Sequence, residues 1–368
     1  GLAAMALRAL LLSGPPCAVP KLGVIGGMGT MLSPSAGHLA SGSVAKVVVA
    51  HRRPTSSAER VEAWRRHGAT VVDEVREVFD HEDVEAVLVC AGKNGDDLPI
   101  IQEAARRCSR PGLAILHLST VSPSFARAAA EYCHSRNLRY VNYPLTGGPS
   151  GAQQATMLIL SSGPRDVYEE YLPLLETLGK PRYFGEDAGR GAEVKLQGQM
   201  MVFGGLGGMA SAAAASFAAA GGAVEASVEV AEFLDFLNGG AGSTRQWDVA
   251  VSRGVRGGDW SEGFQVSHAV VDALYAADMA REMGLGHIAQ NQLVLTAANL
   301  AFLAKTGEER LATQAVVPSL RSSRELDEFL QPLWPLLQDP QRALRWVETA
   351  LPAKLRARVL LKVIERSF

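Results

Sequence analysis

The chain has 368 residues, 47% of them hydrophobic and 20% charged, with a formal net charge of −2 at pH 7. That length predicts two domains with sizeable cores. The near-neutral balance leaves no whole-chain electrostatic case for nucleic acid or an anionic membrane as partner. The four cysteines, Cys17, Cys90, Cys108 and Cys133, show neither CxxC spacing nor a histidine at zinc-finger distance, so free thiols in a reducing compartment and no metal site are expected. No apolar run reaches a membrane span, the alanine-rich stretch 209–220 being too short. The apolar block at 6–12 lacks a clear cleavage pattern. A cytoplasmic protein is expected, or an organellar-matrix one if that leader is the remnant of a targeting peptide.

Residues 21–26 form a short buried strand that runs into Gly26-Gly27-Met28-Gly29-Thr30-Met31. Glycines there let a backbone turn sharply and approach a pyrophosphate, with the next helix N-terminus offering amide donors. The spacing fits GxGxM, but Leu32 stands where a third glycine is usual and Pro34 follows closely.

A second strand at 45–50 ends in His51-Arg52-Arg53-Pro54-Thr55-Ser56-Ser57. An acidic residue at the end of the second strand holds the ribose 2′-hydroxyl in NAD-binding folds. Here Arg52 and Arg53 occupy that place, with hydroxyls behind them, which suits a 2′-phosphate and predicts NADP, with NAD as the lesser possibility. The plain alternative is a basic surface loop.

Strands and helices then alternate: helix 58–67, strand 69–73, strand 84–91, helix 98–108 and strand 112–119. Five hydrophobic strands in this rhythm predict a doubly wound parallel sheet, with ligand over the strand C-termini, where Ala91 and Thr120 lie. The seam to the second half is Asn142-Tyr143-Pro144-Leu145-Thr146-Gly147-Gly148-Pro149-Ser150-Gly151-Ala152, a strand feeding a glycine-rich loop with a hydroxyl. Exposed amides beside Thr146 suit a carboxylate, though an ordinary bulge loop has the same composition.

Strand 156–161, helix 164–178 and strand 181–184 close the first domain. Gly189-Arg190-Gly191 then opens a long helix over 192–220. Lys195 and Gln199 are four residues apart and share one helical face among apolar neighbours. A desolvated amine favours its neutral form and can cycle a proton near neutral pH; the competing reading is a lysine that reaches solvent from a structural helix. Helices near 224–237, 265–283 and 287–304 follow. Expected boundaries are 21–187 for the dinucleotide-binding domain, 188–335 for an all-helical substrate and dimerisation domain, and 336–368 for a helical extension.

Three segments together resemble the β-hydroxyacid dehydrogenase family, which includes 3-hydroxyisobutyrate dehydrogenase: 24–31 is similar to its GxGxMG, 142–152 to its DxPVSGGxxGA, and 189–199 to its GxGxxxKxxNN. The resemblance covers roughly 21–305. It implies a Rossmann domain joined by a long interdomain helix to an all-α domain. It also implies NAD(P)-linked oxidation of a small 3-hydroxy acid, or reduction of its carbonyl counterpart. By position, Lys195 is the acid/base and Thr146, Gly147 and Gly148 bind carboxylate. Gln199 and Asn142 flank the substrate, and Gly26, Gly27, Met28, Gly29, Thr30, Met31, Ala91 and Thr120 contact cofactor. A homodimer or larger oligomer is the family habit.

Several positions depart from the pattern: Asn142 stands for an acid, Thr146 for serine, Gly198-Gln199 for Asn-Asn, and Val271 for the lysine of a later F…KD segment. His268 and Asp272 form a four-residue pair on that segment. Candidate pocket residues further include Tyr143, Arg245, Gln246 and Trp247. Two other readings remain open at this point: an imine reductase, against which Lys195 argues, and a non-catalytic NADP-binding module, which the altered Asn pair favours.

Overall fold

The computed structural model describes residues 21–40, 45–50, 58–81, 83–107, 111–221, 226–321, 323–361 and 368. Six parallel strands form the first sheet: β1 (Lys21–Ile25), β2 (Lys46–Ala50), β3 (Thr70–Val72), β4 (Val84–Val89), β5 (Ala114–His117) and β6 (Arg139–Asn142). Their spatial order is β3-β2-β1-β4-β5-β6, one strand more than the five expected. The chain leaves β1 toward β2 on one side while β4 pairs on the other. That reversal opens a crevice above the carboxyl ends of β1 and β4, where such sheets take their ligands.

The strands read as apolar runs because helices cover both faces of the sheet. The helices that bear on the site here are α1 (Ala58–Arg66), α2 (Asn94–Arg107) and α3 (Pro123–His134). α2 begins four residues before the expected start, its first turn closed by the Asp96 and Asp97 amides donating to the Lys93 carbonyl at 2.9 Å. A second sheet follows, with β7 (Leu145–Thr146) antiparallel to β8 (Met157–Ser161) and β8 parallel to β9 (Gly179–Tyr183). The bridge between Asn142 and Ser162 ties the two sheets together.

The chain then enters the 30-residue helix α4 (Arg190–Ala219). Its glycines and alanines let neighbouring helices approach, and Leu196, Phe203, Leu206, Ala210, Ala213 and Phe217 lie on its buried face. Contrary to the sequence expectation, this helix is long and apolar enough to cross a membrane by length and composition. One face of it packs against α5 (Val228–Asn238), α6 (Val266–Glu282) and α7 (His287–Lys305). α6 runs through the middle of this core, with nearly every residue from Ala269 to Ala277 inaccessible. Near the end of the chain, α8 (Ala353–Val359) returns to the first domain and packs on α2. A Cβ at Gly95 would overlap the Ala357 carbonyl oxygen, so glycine sets how closely α8 settles.

Candidate active site

The glycine loop after β1 is held from below and from the side. Gly26 has φ +87°, and a Cβ there would overlap the Cys90 carbonyl at the end of β4. A Cβ at Gly27 would lie 2.5 Å from Val49 Cγ2. The buried Trp64 indole donates to the Gly27 carbonyl at 3.0 Å, and Arg60 donates to the Met28 carbonyl at 2.6 Å. Both come from α1, and neither was singled out in the sequence. Their signal was faint, since a tryptophan or arginine on a helix after β2 has many ordinary uses.

Leu32, at the position of the absent third glycine, points into the core instead. The expected helix N-terminus is replaced by a single 3-10 turn, Ser33–Ser35, and the four-residue helix Ala36–Leu39. Pro34, which lacks a backbone N–H, explains the tight irregular turn. Met28, Gly29 and Met31 are half-buried and Thr30 is exposed, so the loop lines the crevice rather than the core. Ala91 and Thr120, just beyond the ends of β4 and β5, are half-buried as well. Beside Thr120, the buried Ser119 hydroxyl has no hydrogen-bond partner among the described residues. An orphaned hydroxyl at a strand end fits a polar ligand in this crevice. Arg52 and Arg53 lie outside the described residues.

Lys195 reaches the first domain from the second turn of α4. Its Nζ donates to Thr146 Oγ1 at 3.0 Å, across the junction of the two domains. Burial is the main reason its pKa falls from the ordinary lysine value to about 8; Asp272 opposes the fall and Lys93 reinforces it. The start of α4 is tied to the first domain at several points. The Gly191 amide donates to Ser162 Oγ at 2.8 Å, and Arg127 of α3 grips Glu193 and donates to Asp187 at 2.6 Å. The Thr146 loop is equally constrained, with Gly147 at φ +137° and Gly148 at φ +65°, values that favour glycine.

Gln199, one turn beyond Lys195, donates to Asp272 Oδ2 at 2.6 Å. The other carboxylate oxygen of Asp272 is engaged by Lys93, from the loop after β4, in a fully buried ion pair. Lys93 is a residue that sequence reasoning missed: 179 positions separate it from its partner. Val271, where the resemblance led one to look for a lysine, is wholly inside the helical core. His268 makes no hydrogen bond to Asp272, contrary to the pairing anticipated from their spacing. Its Nδ1 instead faces Arg358 of α8 at 3.4 Å, and Arg358 also donates to Asp96 at 2.7 Å. Burial, with Lys93 and Arg358 adding to it, lowers the His268 pKa to about 4.

Other expected pocket residues lie elsewhere. Asn142 is fully buried, its amide donating to the His117 carbonyl at 3.2 Å, so it braces β5 against β6 from beneath the Thr146 loop. Tyr143 is inaccessible in the same layer. Trp247 is buried in the helical domain, where its indole donates to Asp235 at 2.7 Å. Gln246 and Thr244 sit against Gly205, ten residues and therefore roughly 15 Å along α4 from Lys195. Thr244 lines a different groove.

A six-stranded Rossmann sheet, a glycine loop at its switch point and a buried lysine facing that crevice from a helical domain define a dinucleotide-linked oxidoreductase. Residues 21–204 match the NAD binding domain of 6-phosphogluconate dehydrogenase, and the chain belongs to that family, in its β-hydroxyacid dehydrogenase branch. It is an NAD(P)-dependent dehydrogenase or reductase. Among its relatives is the Bacillus subtilis oxidoreductase YkwC, 25% identical over 71% of this chain and 87% of that protein. Another is the probable 3-hydroxyisobutyrate dehydrogenase-like 1 of Arabidopsis thaliana, 26% identical over 82% of this chain and 85% of the relative. The crystal structure of 3-hydroxyisobutyrate dehydrogenase from Salmonella typhimurium shares the fold, with a TM-score of 0.67 at 21% identity over 81% of this chain and 99% of that one.

Proposed function

We propose that the protein is an NADP-linked oxidoreductase of the β-hydroxyacid class, interconverting a small 3-hydroxy acid and its carbonyl counterpart with Lys195 as general acid/base. The observation that carries this reading is the buried Lys195 amine held 3.0 Å from the Thr146 hydroxyl, facing the crevice of the dinucleotide-binding sheet. Burial lowers its pKa to about 8, close to where a group that both takes and returns a proton works best.

Bound NADP would supply or accept the hydride. The backbone of Gly27, Met28 and Gly29 would hold its pyrophosphate, with Ala91 and Thr120 lining the nicotinamide side. The choice of NADP over NAD rests on Arg52 and Arg53 following β2, without a carboxylate there to repel a 2′-phosphate. Thr146 and the amides of Gly147 and Gly148 would take the substrate carboxylate, leaving Lys195 Nζ within reach of the neighbouring hydroxyl. In oxidation the neutral amine accepts that hydroxyl's proton; in reduction the ammonium donates one.

The outer side of α4 and α5 supports a homodimer. Met201, Phe233 and Phe236 are exposed there, Phe236 by 81%. Phe236 lines a groove of about 1150 Å³ together with Gly204, Gly208, Ala212 and Leu237. A second copy covering this apolar surface would be read directly as the mass measured by light scattering.

The decisive test is an initial-rate screen of small 3-hydroxy acids with NADP and with NAD, repeated with Lys195→Ala. Turnover that needs Lys195 and prefers NADP supports the reading. Turnover that survives Lys195→Ala, or its absence from every hydroxy acid tried, overturns it.

A further inference from the structure

The ion pair between Lys93 and Asp272 is costly to bury. Removing two charges from water is repaid only by close geometry and full hydrogen bonding, and a pair of apolar side chains commonly does the same packing with equal or greater stability. Here the pair lies in the wall of the crevice, between the two domains. Lys93 is 4% exposed and Asp272 1% exposed. The Lys93 backbone amide donates to Asp96 at 3.0 Å, and the next amide, that of Asn94, donates to the Tyr275 hydroxyl at 3.1 Å. Tyr275 lies three residues beyond Asp272 on α6, hence on the same side of that helix. The loop after β4 is thus pinned to α6 at two adjacent points.

The second oxygen of Asp272 takes the Gln199 amide at 2.6 Å. Gln199 shares a helix face with Lys195, so the carboxylate connects Lys93 to the acid/base residue through one side chain. Resting on the acid/base role given to Lys195 above, we propose that Lys93 is a positioning residue of the reaction: paired with Asp272 across the domain junction, it fixes Gln199 beside Lys195 and offsets the charge of the carboxylate.

The groups acting on the Lys195 amine come from two neighbouring elements. Asp272 on α6 favours its ammonium form, and Lys93 on the loop after β4 favours the neutral form. His268, Arg358 and Asp96 belong to the same cluster, with Arg358 donating to Asp96 and facing His268. Without Lys93, the charge of Asp272 would act on Lys195 unopposed and hold its proton to higher pH. With Lys93 in place, the pull of Asp272 on the amine is partly offset while the carboxylate still anchors Gln199.

The test is the titration of Lys195 in the full chain, read without turnover. Trace labelling with acetic anhydride from about pH 6 to about pH 11, with the Lys195 peptide followed by mass spectrometry, gives its midpoint directly. The unmodified protein is expected to show a midpoint near 8. Lys93→Met should raise it by about half a unit or more, Lys93→Arg should restore it, and Asp272→Asn should lower it.

Where Lys93→Met alone does not fold, as judged by circular dichroism, the double change with Asp272→Asn removes both charges. Its midpoint should return to within about 0.3 unit of the unmodified value, while Asp272→Asn alone stays lower. A midpoint that does not follow this order overturns the inference, because a purely structural ion pair would leave it unmoved. Labelling needs no substrate, so a protein inactive on every hydroxy acid would still report on Lys93, and the two failures are told apart.

Discussion

Lys195 and Thr146 are 49 residues apart in the chain, yet their side-chain tips meet at 3.0 Å across the junction of the sheet domain and the helical domain. In the proposed reaction one group would shuttle a proton and the other would contact the substrate anion, and neither domain holds both. Thr146→Val removes the hydroxyl while keeping the branched shape. The expected outcome is a KM for the hydroxy acid raised about tenfold, the effect of about 1.4 kcal/mol lost from a hydrogen bond to a charged group. Affinity for NADPH, followed by fluorescence titration, should stay within about twofold.

Much of this arrangement was legible in the sequence, and the reason is local. Strands covered on both faces appear as unbroken apolar runs, such as Val47-Val48-Val49, and the glycines at 26, 27, 147 and 148 stand where turns or close approaches demand them. Lys195 and Gln199 were readable because one helix carries both. The contacts that were not legible join distant segments. Lys93 meets Asp272, Arg358 of α8 meets Asp96, and Trp64 meets the glycine loop, each through tertiary packing that no spacing rule encodes. The expected partnership of His268 with Asp272 failed for the same reason: both oxygens of the carboxylate were already taken by groups from other elements.

Gly191 should prove as important to Lys195 as any polar neighbour. A Cβ at this position would overlap the Leu160 carbonyl oxygen and lie 2.8 Å from that of Asn142, both backbone atoms that cannot swing aside. Gly191→Ala therefore has to push the first turn of α4 away from β8. Thermal unfolding should show a loss of about 1–3 kcal/mol, the usual cost of overpacking. The kcat should fall more than NADPH affinity, because the glycine loop after β1 is not touched by the change.

The proposed preference for NADP rests on Arg52 and Arg53, which follow β2 in the sequence. Both guanidinium groups can bind a 2′-phosphate, and an acidic side chain there would instead favour the ribose hydroxyls. NADPH should bind more tightly than NADH, and Arg52→Asp should narrow or invert the preference in the same fluorescence titration. Equal affinity of the unmodified protein for both cofactors would contradict this assignment.

The pH dependence separates Lys195 from His268, which belongs to the same buried cluster. Lys195 has its pKa lowered to about 8, so it is mostly protonated below that pH and mostly neutral above it. Oxidation needs the neutral amine, so kcat/KM for the hydroxy acid should rise with pH and level off above about 8. Reduction needs the ammonium, so its rate should be level at lower pH and fall through the same value. His268, with its pKa lowered to about 4, is already neutral across pH 5–9 and cannot produce either limb. Lys195→Ala should therefore lose about 10²–10⁴-fold in kcat together with its pH dependence. Lys195→Arg should fail almost as badly, because a guanidinium keeps its proton throughout this range. His268→Ala should keep the midpoint near 8, with only a moderate change in rate from altered packing against Arg358. If His268→Ala abolished the limb while Lys195→Ala preserved it, the proton would have to travel through the histidine, and the role given to Lys195 would be wrong.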